Sequence, residues 1–247
     1  MKENEIYADI RSLPPVIIRI DGRNFKKTLE KLDFEKPYDF RLTKGFADSI
    51  ESFFKKSGLN PILSYTFSDE VSFLFLNLEF DGRIEKLDSI VPSYFSSSLS
   101  IELGLSEPIA FDSRVIPIEK DKIVDYFIWR QKEAWRNYIN SYGHYTLIKK
   151  GMSPKDAFNL LKNKDSSYIH ELMFEDGINL AKLPSWQRKG IVVYKHRYLV
   201  EGYNPKDNIK SITQRQKIVQ KWDIPEFSSP QGHDFLVCNI FQTSDNK

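Results

Sequence analysis

The sequence predicts a mixed α+β protein (α/β in its opening order) that starts with a strand-helix-strand-strand unit, β-α-β-β, carries packed helices after it and ends in a basic C-terminal extension. Three observations predict this. Val16-Ile17-Ile18-Arg19-Ile20 is a β-branched run following Pro14-Pro15. Leu42, Phe46, Ile50, Phe53 and Phe54 then recur at helical spacing with charges between them. Between Trp186 and Lys221 nine basic residues stand against two acidic ones, a local charge of +7 in a chain whose net charge is only +2.

The elements follow in order. The first strand reads as buried and stops at Asp21-Gly22, a turn-forming pair. Asp39 is placed to cap a helix over about residues 40 to 57, and Gly58 stands where a left-handed C-terminal cap belongs. Ile62 to Phe67 and Val71 to Leu76 read as two strands joined by Ser68-Asp69-Glu70, a tight hairpin connection. A strand that follows a helix usually returns parallel and right-handed beside the first, so the end of strand one is expected near that connection. Leu87 to Leu103 predicts a helix whose upstream extent Pro92 limits, Phe111 to Ile118 a strand, and Ile123 to Tyr145 a long helix. Ser153-Pro154 opens a short helix with Ala157, Leu160 and Leu161 on one face. Ile191 to Tyr194 and Tyr198 to Val200 flank Lys195-His196-Arg197, expected as a basic hairpin tip, and Ser228 to Asp234 and the final Ser-Asp-Asn-Lys read as loose. A division at residue 145 is expected, with 1–145 as one part and 146–247 as a helical and β-hairpin C-terminal region.

Composition excludes several classes. The chain has 247 residues, of which 40% are hydrophobic, 14% aromatic and 28% charged, so it can bury a core and is not of the disordered or low-complexity kind. Cys238 is the single cysteine, which rules out an internal disulfide and a cysteine-cluster zinc or iron-sulfur site. The polar start Met1-Lys2-Glu3-Asn4-Glu5 and the lack of any stretch of ~18 apolar residues predict a cytoplasmic protein without a membrane span. There is no G-x-x-x-x-G-K-[ST] and no G-x-G-x-x-G, so Walker and Rossmann phosphate sites lack their glycine scaffold. His144, His170, His196 and His233 show no zinc-ligand spacing.

Two acidic positions remain. Asp21 follows a hydrophobic strand, and Asp69 with Glu70 occupies a hairpin connection; carboxylates so placed suit Mg²⁺, because hard cations take oxygen ligands. The same residue types also serve as ordinary turn formers, and pattern alone leaves both uses open.

The flanking residues decide more. Arg19-Ile20-Asp21-Gly22-Arg23-Asn24-Phe25, Phe34-Glu35-Lys36-Pro37-Tyr38-Asp39 and Ser68-Asp69-Glu70-Val71-Ser72-Phe73 are followed in order by Phe111-Asp112-Ser113-Arg114-Val115, Trp129-Arg130-Gln131, Glu171-Leu172-Met173-Phe174, Ile178-Asn179 and Arg188-Lys189-Gly190. Over about residues 14 to 194 the chain thereby resembles the tRNA(His) guanylyltransferase family. The resemblance implies a polymerase-palm-like catalytic sheet that adds nucleotides to the 5′ end of tRNA in the 3′-5′ direction with two Mg²⁺ ions. It also implies ATP or GTP as activating and incoming nucleotide, and a tetramer. By that likeness Asp21 and Asp69 are metal ligands aided by the Gly22 carbonyl, and Glu70 supports the site. Lys36, Ser68 and Asp39, with Arg19, Asn24, Phe25, Asn137 and Asn179, contact or position nucleotide. On residue type alone Lys36 is equally a solvated lysine, Asp39 a helix cap and Asn179 a loop-ordering asparagine.

Where guanylyltransferases proper carry His-Ile-Asn-Asn, this chain reads Trp135-Arg136-Asn137-Tyr138, which is closer to the family's "like" proteins that repair 5′-truncated tRNAs by templated addition. Tyr168-Ile169-His170 stands where that family has a lysine. For the polyanion, Arg188, Lys189, Lys195, Arg197 and Arg215 are the candidate tRNA contacts. Two alternatives stay beside this reading: a nucleotidyl cyclase of the same palm shape, which Ser68-Asp69-Glu70 fits poorly, and a non-catalytic tRNA-binding module.

Overall fold

A computed structural model describes residues 1, 4–23, 25, 32–204 and 209–241, the side chains of 202–211 excepted. Its centre is a six-stranded sheet in the order β4-β1-β3-β2-β5-β6, antiparallel at every pairing. The strands are β1 (Val16–Arg23), β2 (Leu63–Phe67), β3 (Glu70–Phe75), β4 (Ala110–Pro117), β5 (Ile191–Asn204) and β6 (Ile209–Lys221). The helices are α1 (Phe40–Lys56), α2 (Ile84–Glu102), α3 (Ile123–Lys149), α4 (Pro154–Leu161), α5 (Ser166–Glu175), α6 (Ser185–Lys189) and α7 (Pro230–Phe241).

Strand alternation sorts β1 between two cores. Val16, Ile18 and Ile20 pack with Phe73 and Phe75 beneath Phe46, Ile50 and Phe53 of α1 and Val91, Phe95 and Leu99 of α2. Ile17 faces the other way with Leu74, Leu63 and Tyr65, under Ile123, Val124 and Phe127 of α3 and Leu236 and Ile240 of α7. Both faces of β1, β2 and β3 are covered, so these strands are buried along most of their length. Farther along α3, Tyr138, Ile139 and Leu147 hold Ala157 and Leu161 of α4 and Ile169 and Met173 of α5 in a third cluster. One long helix thus ties the sheet to the small helices.

Several expectations are corrected. β2 runs in the direction of β1 but not beside it, because β3 pairs with both and lies between them. Asp21-Gly22 is not a turn: β1 continues to Arg23, held by pairing with β4. The hairpin connection is two residues, Ser68-Asp69, and Glu70 is the first residue of β3, opposite Phe67. α2 begins at Ile84 and runs through Pro92, the burial of Leu87, Val91, Phe95 and Leu99 outweighing the backbone bond that a proline forfeits. Lys195-His196-Arg197 is mid-strand, paired with Ile218, Lys217 and Gln216. Its charges looked like a tip because both ribbon faces are wet there and leave no apolar alternation. Residues 230–241, of which 230–234 were expected loose, form α7; Ser229 Oγ accepts from Gly232 N at 3.1 Å and Pro230 occupies the first helical position. The terminal Ser-Asp-Asn-Lys lies outside the described residues.

No helix among the described residues is long and apolar enough to cross a membrane.

Candidate active site

The end of β1 sits between two acidic neighbours: Asp21 lies opposite Glu70 of β3 on one side and Asp112 of β4 on the other. Like charges directly across strands destabilise a sheet, so the row requires compensation. Glu70 has it. Arg130 of α3 donates from Nε to Oε1 at 2.8 Å and from Nη2 to Oε2 at 2.5 Å, both buried. The guanidinium lies 4.4 Å from the Trp129 ring and 5.4 Å from that of Phe67. Arg19, 4.0 Å from Glu70 and 5.7 Å from the Trp129 ring, completes this knot. Burial lifts the Glu70 carboxyl above its ordinary range, and Arg130 pulls against that lift.

Asp21 and Asp69 form no ion pair among the described residues. Their backbones are joined, since Gly22 N donates to the Asp69 carbonyl at 3.1 Å. Burial raises the Asp21 carboxyl, and repulsion from Asp69 and Asp112 raises it further against Arg114 and Arg19. Burial raises Asp69 too, opposed by the Ser68 hydroxyl at 3.0 Å. Ser68 has φ +52, a left-handed conformation that side chains seldom adopt outside constrained turns. Gly22 is required by close approach: a Cβ there would lie 2.9 Å from the Phe25 side chain.

Beside Asp69 opens a cleft of about 240 Å³. Phe25, Phe34, Lys36, Tyr38, Asp39, Ser68, Asp69, Tyr145 and Trp186 are among the residues that line it. Its outer wall is the 34–39 loop, which Asp39 organises. That buried carboxylate accepts from Arg41 N at 2.7 Å, as the α1 cap, from Glu35 N at 2.9 Å and from the Arg41 guanidinium at 2.6 to 3.2 Å. The Arg41 bond above all holds its pKa down at about 2. Tyr38 stacks on Tyr142 of α3 and meets Trp186 edge-on. Lys36 Nζ stands 5.9 Å from the Tyr145 ring with no ion pair among the described residues. On the opposite side Gly190, at φ +78, lets β5 begin against β2, where a Cβ would come 2.6 Å from the Thr66 carbonyl.

The structure therefore brings Phe25, Lys36, Asp39, Ser68 and Asp69 together at one cleft, with Asp21, Gly22, Glu70 and Arg19 at the adjoining strand ends. Asn137 lies away from the cleft, on a separate groove along α3. Asn179 caps a single turn, its Oδ1 accepting from Ala181 N at 3.0 Å. Asn24 lies outside the described residues. Lys189 Nζ donates to the Ile224 carbonyl at 3.2 Å, and Lys195 Nζ bonds Asn60 Oδ1, so both amines are used within the fold. Arg188 sits half-buried beside Lys189 on α6. Register puts Lys195 and Arg197 on one face of the β5–β6 ribbon and Arg215 on the other, so these three face no common surface. Sequence reasoning assigned no role to Arg130, Ser141 or Tyr145. Tyr138, Tyr142 and Tyr145, spaced four and three apart on α3, were the available signal.

The donors fit a hard cation. Two carboxylates and a backbone carbonyl are all oxygen, the set Mg²⁺ takes when substrate phosphates complete its shell. Among the described residues no three His, Cys, Asp or Glu side chains gather to hold an ion alone.

An α+β fold with an acid-edged, aromatic-walled cleft at one sheet end has the stacking walls and the cation-holding oxygens that a nucleotide site needs. The comparisons with known proteins resolve which family carries it. The family model described as tRNAHis guanylyltransferase matches residues 1–119, and that of the Thg1 C terminal domain matches residues 121–227. The chain is 32% identical over 200 residues to the "Probable tRNA(His) guanylyltransferase" of Drosophila melanogaster, covering 75% of this chain and 68% of the relative. It is 32% identical over 202 residues to the tRNA(His) guanylyltransferase of Debaryomyces hansenii, covering 76% of each. The solved tRNA(His) guanylyltransferase of Saccharomyces cerevisiae superposes with a TM-score of 0.68 at 26% identity, over 75% of this chain and 89% of that one. A bacterial guanylyltransferase-like protein in complex with ATP shares the fold at a TM-score of 0.73 and 24% identity, over 98% of this chain and 97% of that one. The chain belongs to the tRNA(His) guanylyltransferase family and is a nucleotidyltransferase.

Proposed function

We propose that this protein is a Mg²⁺-dependent, template-directed 3′-5′ nucleotidyltransferase that extends the 5′ end of tRNA. In this reading residues 1–145 carry a palm-like catalytic domain and the C-terminal region contacts tRNA; the active form is a tetramer. The observation that carries it is the placement of Asp69 at the rim of the cleft and in the hairpin connection bonded to β1 beside Asp21. A nucleotide lying against Phe34, Tyr38 and Trp186 would present its phosphates to Lys36 and to the paired aspartates.

Each residue then has a task. The aspartates and the Gly22 carbonyl would hold the metal, which when bound polarises the attacking oxygen and screens the leaving pyrophosphate. Lys36 neutralises phosphate charge, and Ser68 orients the Asp69 carboxylate. Glu70, tied to Arg130, is a positioning residue that fixes the strand end. Asp39 shapes the nucleotide loop through the Glu35 and Arg41 amides.

The chemistry balances in two transfers. A 5′-phosphate oxygen of the RNA attacks the α-phosphorus of ATP or GTP, expelling pyrophosphate. The 3′-hydroxyl of the incoming NTP then attacks the activated 5′ phosphorus, losing its proton and expelling the nucleoside monophosphate. Positioning accounts for most of the protein's contribution to such steps.

Templated repair is favoured over fixed guanylate addition because Trp135-Arg136-Asn137-Tyr138 replaces the expected motif and Asn137 lines the second groove, not the cleft. The test is extension of 5′-truncated tRNA by NTPs and Mg²⁺, with matched and mismatched template positions. Longer product from the parent and none from Asp69→Ala is expected; equal product from both refutes the assignment.

A further inference from the structure

Along α3, past the cleft, runs a second concavity of about 900 Å³, more than three times the volume of the first. Ser141 and Tyr145 line both, so the two spaces share one wall. The far wall is the end of α4 and the 162–166 turn into α5. Its chemistry differs from that of the cleft: no carboxylate row edges it. Arg136, Lys162 and Lys164 supply positive charge, and Asn137, Asn140 and Asn163 supply side-chain amides.

These groups are only partly used by the fold. Lys162 is exposed and makes no ion pair among the described residues. Lys164 Nζ rests 4.7 Å from the exposed Tyr168 ring, while Arg136 is paired with Glu133 at 2.8 Å on the surface. The carboxylate in this wall, Asp165, is spent on the α5 cap, accepting from Tyr168 N at 2.8 Å. Phe158 lies at the rim of the groove with 61% of its surface exposed, although it belongs to a helix that buries Ala157 and Leu161. An aromatic face, unspent cations and amides along a groove make the combination that binds single-stranded nucleic acid: bases stack on the ring, phosphates meet lysines, and amides reach base edges.

We infer that this groove holds an unpaired strand of the RNA substrate, the single-stranded 3′ overhang opposite the 5′ end being processed, and leads it past the shared Ser141–Tyr145 wall toward the cleft. The inference rests on the proposed function, since it requires the 5′ end in the neighbouring cleft.

The experiment uses the full chain and two RNAs, a 5′-truncated tRNA with its 3′ overhang and the same tRNA made blunt. The variant is Phe158→Ala/Lys162→Ala/Lys164→Ala, all three residues exposed and outside the catalytic machinery. By fluorescence anisotropy the variant is expected to bind the overhang RNA about tenfold or more weakly, losing a stacked base and two phosphate contacts. It should bind blunt RNA and fluorescent ATP as the parent does. An unchanged affinity for overhang RNA, or an equal loss on both RNAs, overturns the groove assignment. A parent that extends neither RNA instead overturns the proposed function, and the two failures are thereby told apart.

Discussion

Among the carboxylates at one end of the sheet, Glu70, Asp21 and Asp69 are treated in two ways. Glu70 is gripped by Arg130, which is itself packed between Trp129 and Phe67. Asp21 and Asp69, one strand and one residue away, are raised by burial and have no guanidinium bonded to them among the described residues, although Arg114 and Arg19 pull Asp21 down from a distance. A fold built only for stability would neutralise all three. The difference teaches that Glu70 belongs to the architecture, while Asp21 and Asp69 are left without a bonded cation, open to something that binds.

Breaking the compensated side should cost most in stability. Arg130→Met leaves Glu70 buried without its partner and is expected to destabilise by about 3–5 kcal/mol, measured by denaturant unfolding. A loss below about 1 kcal/mol would show that the pair is not a lock. Asp69→Asn acts on the uncompensated side. It should cut RNA extension at least about 10²-fold, by analogy with the loss of a group that stabilises developing charge. Its melting temperature should hold or rise, since a repelling charge is gone. Full activity with lowered stability would reverse the roles assigned here. Smaller again is Asp39→Ala, which deletes the α1 cap and frees the Glu35 amide. About 1 kcal/mol of stability is expected to go, with a higher KM for NTP and a kcat changed far less. A fall in kcat alone would place Asp39 in the chemistry instead of the loop.

What was legible in the sequence divides along the same line. α1, its Asp39 cap, and the β2 and β3 runs announced themselves because burial on one side imposes a period and caps carry a chemical signature. The acids were legible as candidates for the same reason. Pairing was not: nothing in β2 says that β3 will lie between it and β1, because that choice belongs to long-range packing. The basic ribbon misled most. Residues 195–201 and 212–217 are wet on both faces, with Leu199 and Ile212 each 69% exposed, so no alternation marks them as strand. Ser229-Pro230 repeats the signal that marked Ser153-Pro154, yet the polar residues around it hid α7. Arg130 could not be matched to Glu70 at a separation of 60 residues by any local rule.

Acid and base dependence sharpens the contrast most finely, because carboxylates at one site act with opposite sign. Asp39 is held at about 2 when folded, below an unfolded value of about 3.9. Its contribution is therefore complete above that value and is lost as pH falls through 2. Asp21 and Asp69 are raised on folding, so the folded chain binds more protons than the unfolded one, and stability falls as pH climbs from about 4 toward their folded values. Without metal, Asp69→Asn should accordingly melt higher than the parent at pH 7, by a margin that shrinks as the pH is lowered to about 4. Adding Mg²⁺ at pH 7 should close or reverse the gap, since a ligand that binds only the folded parent stabilises it. Thermal melts of both proteins at several pH values, in EDTA and in Mg²⁺, measure this directly. A margin that stays constant with pH, and ignores Mg²⁺, would mean that the Asp69 charge is neither strained by its surroundings nor available to a cation.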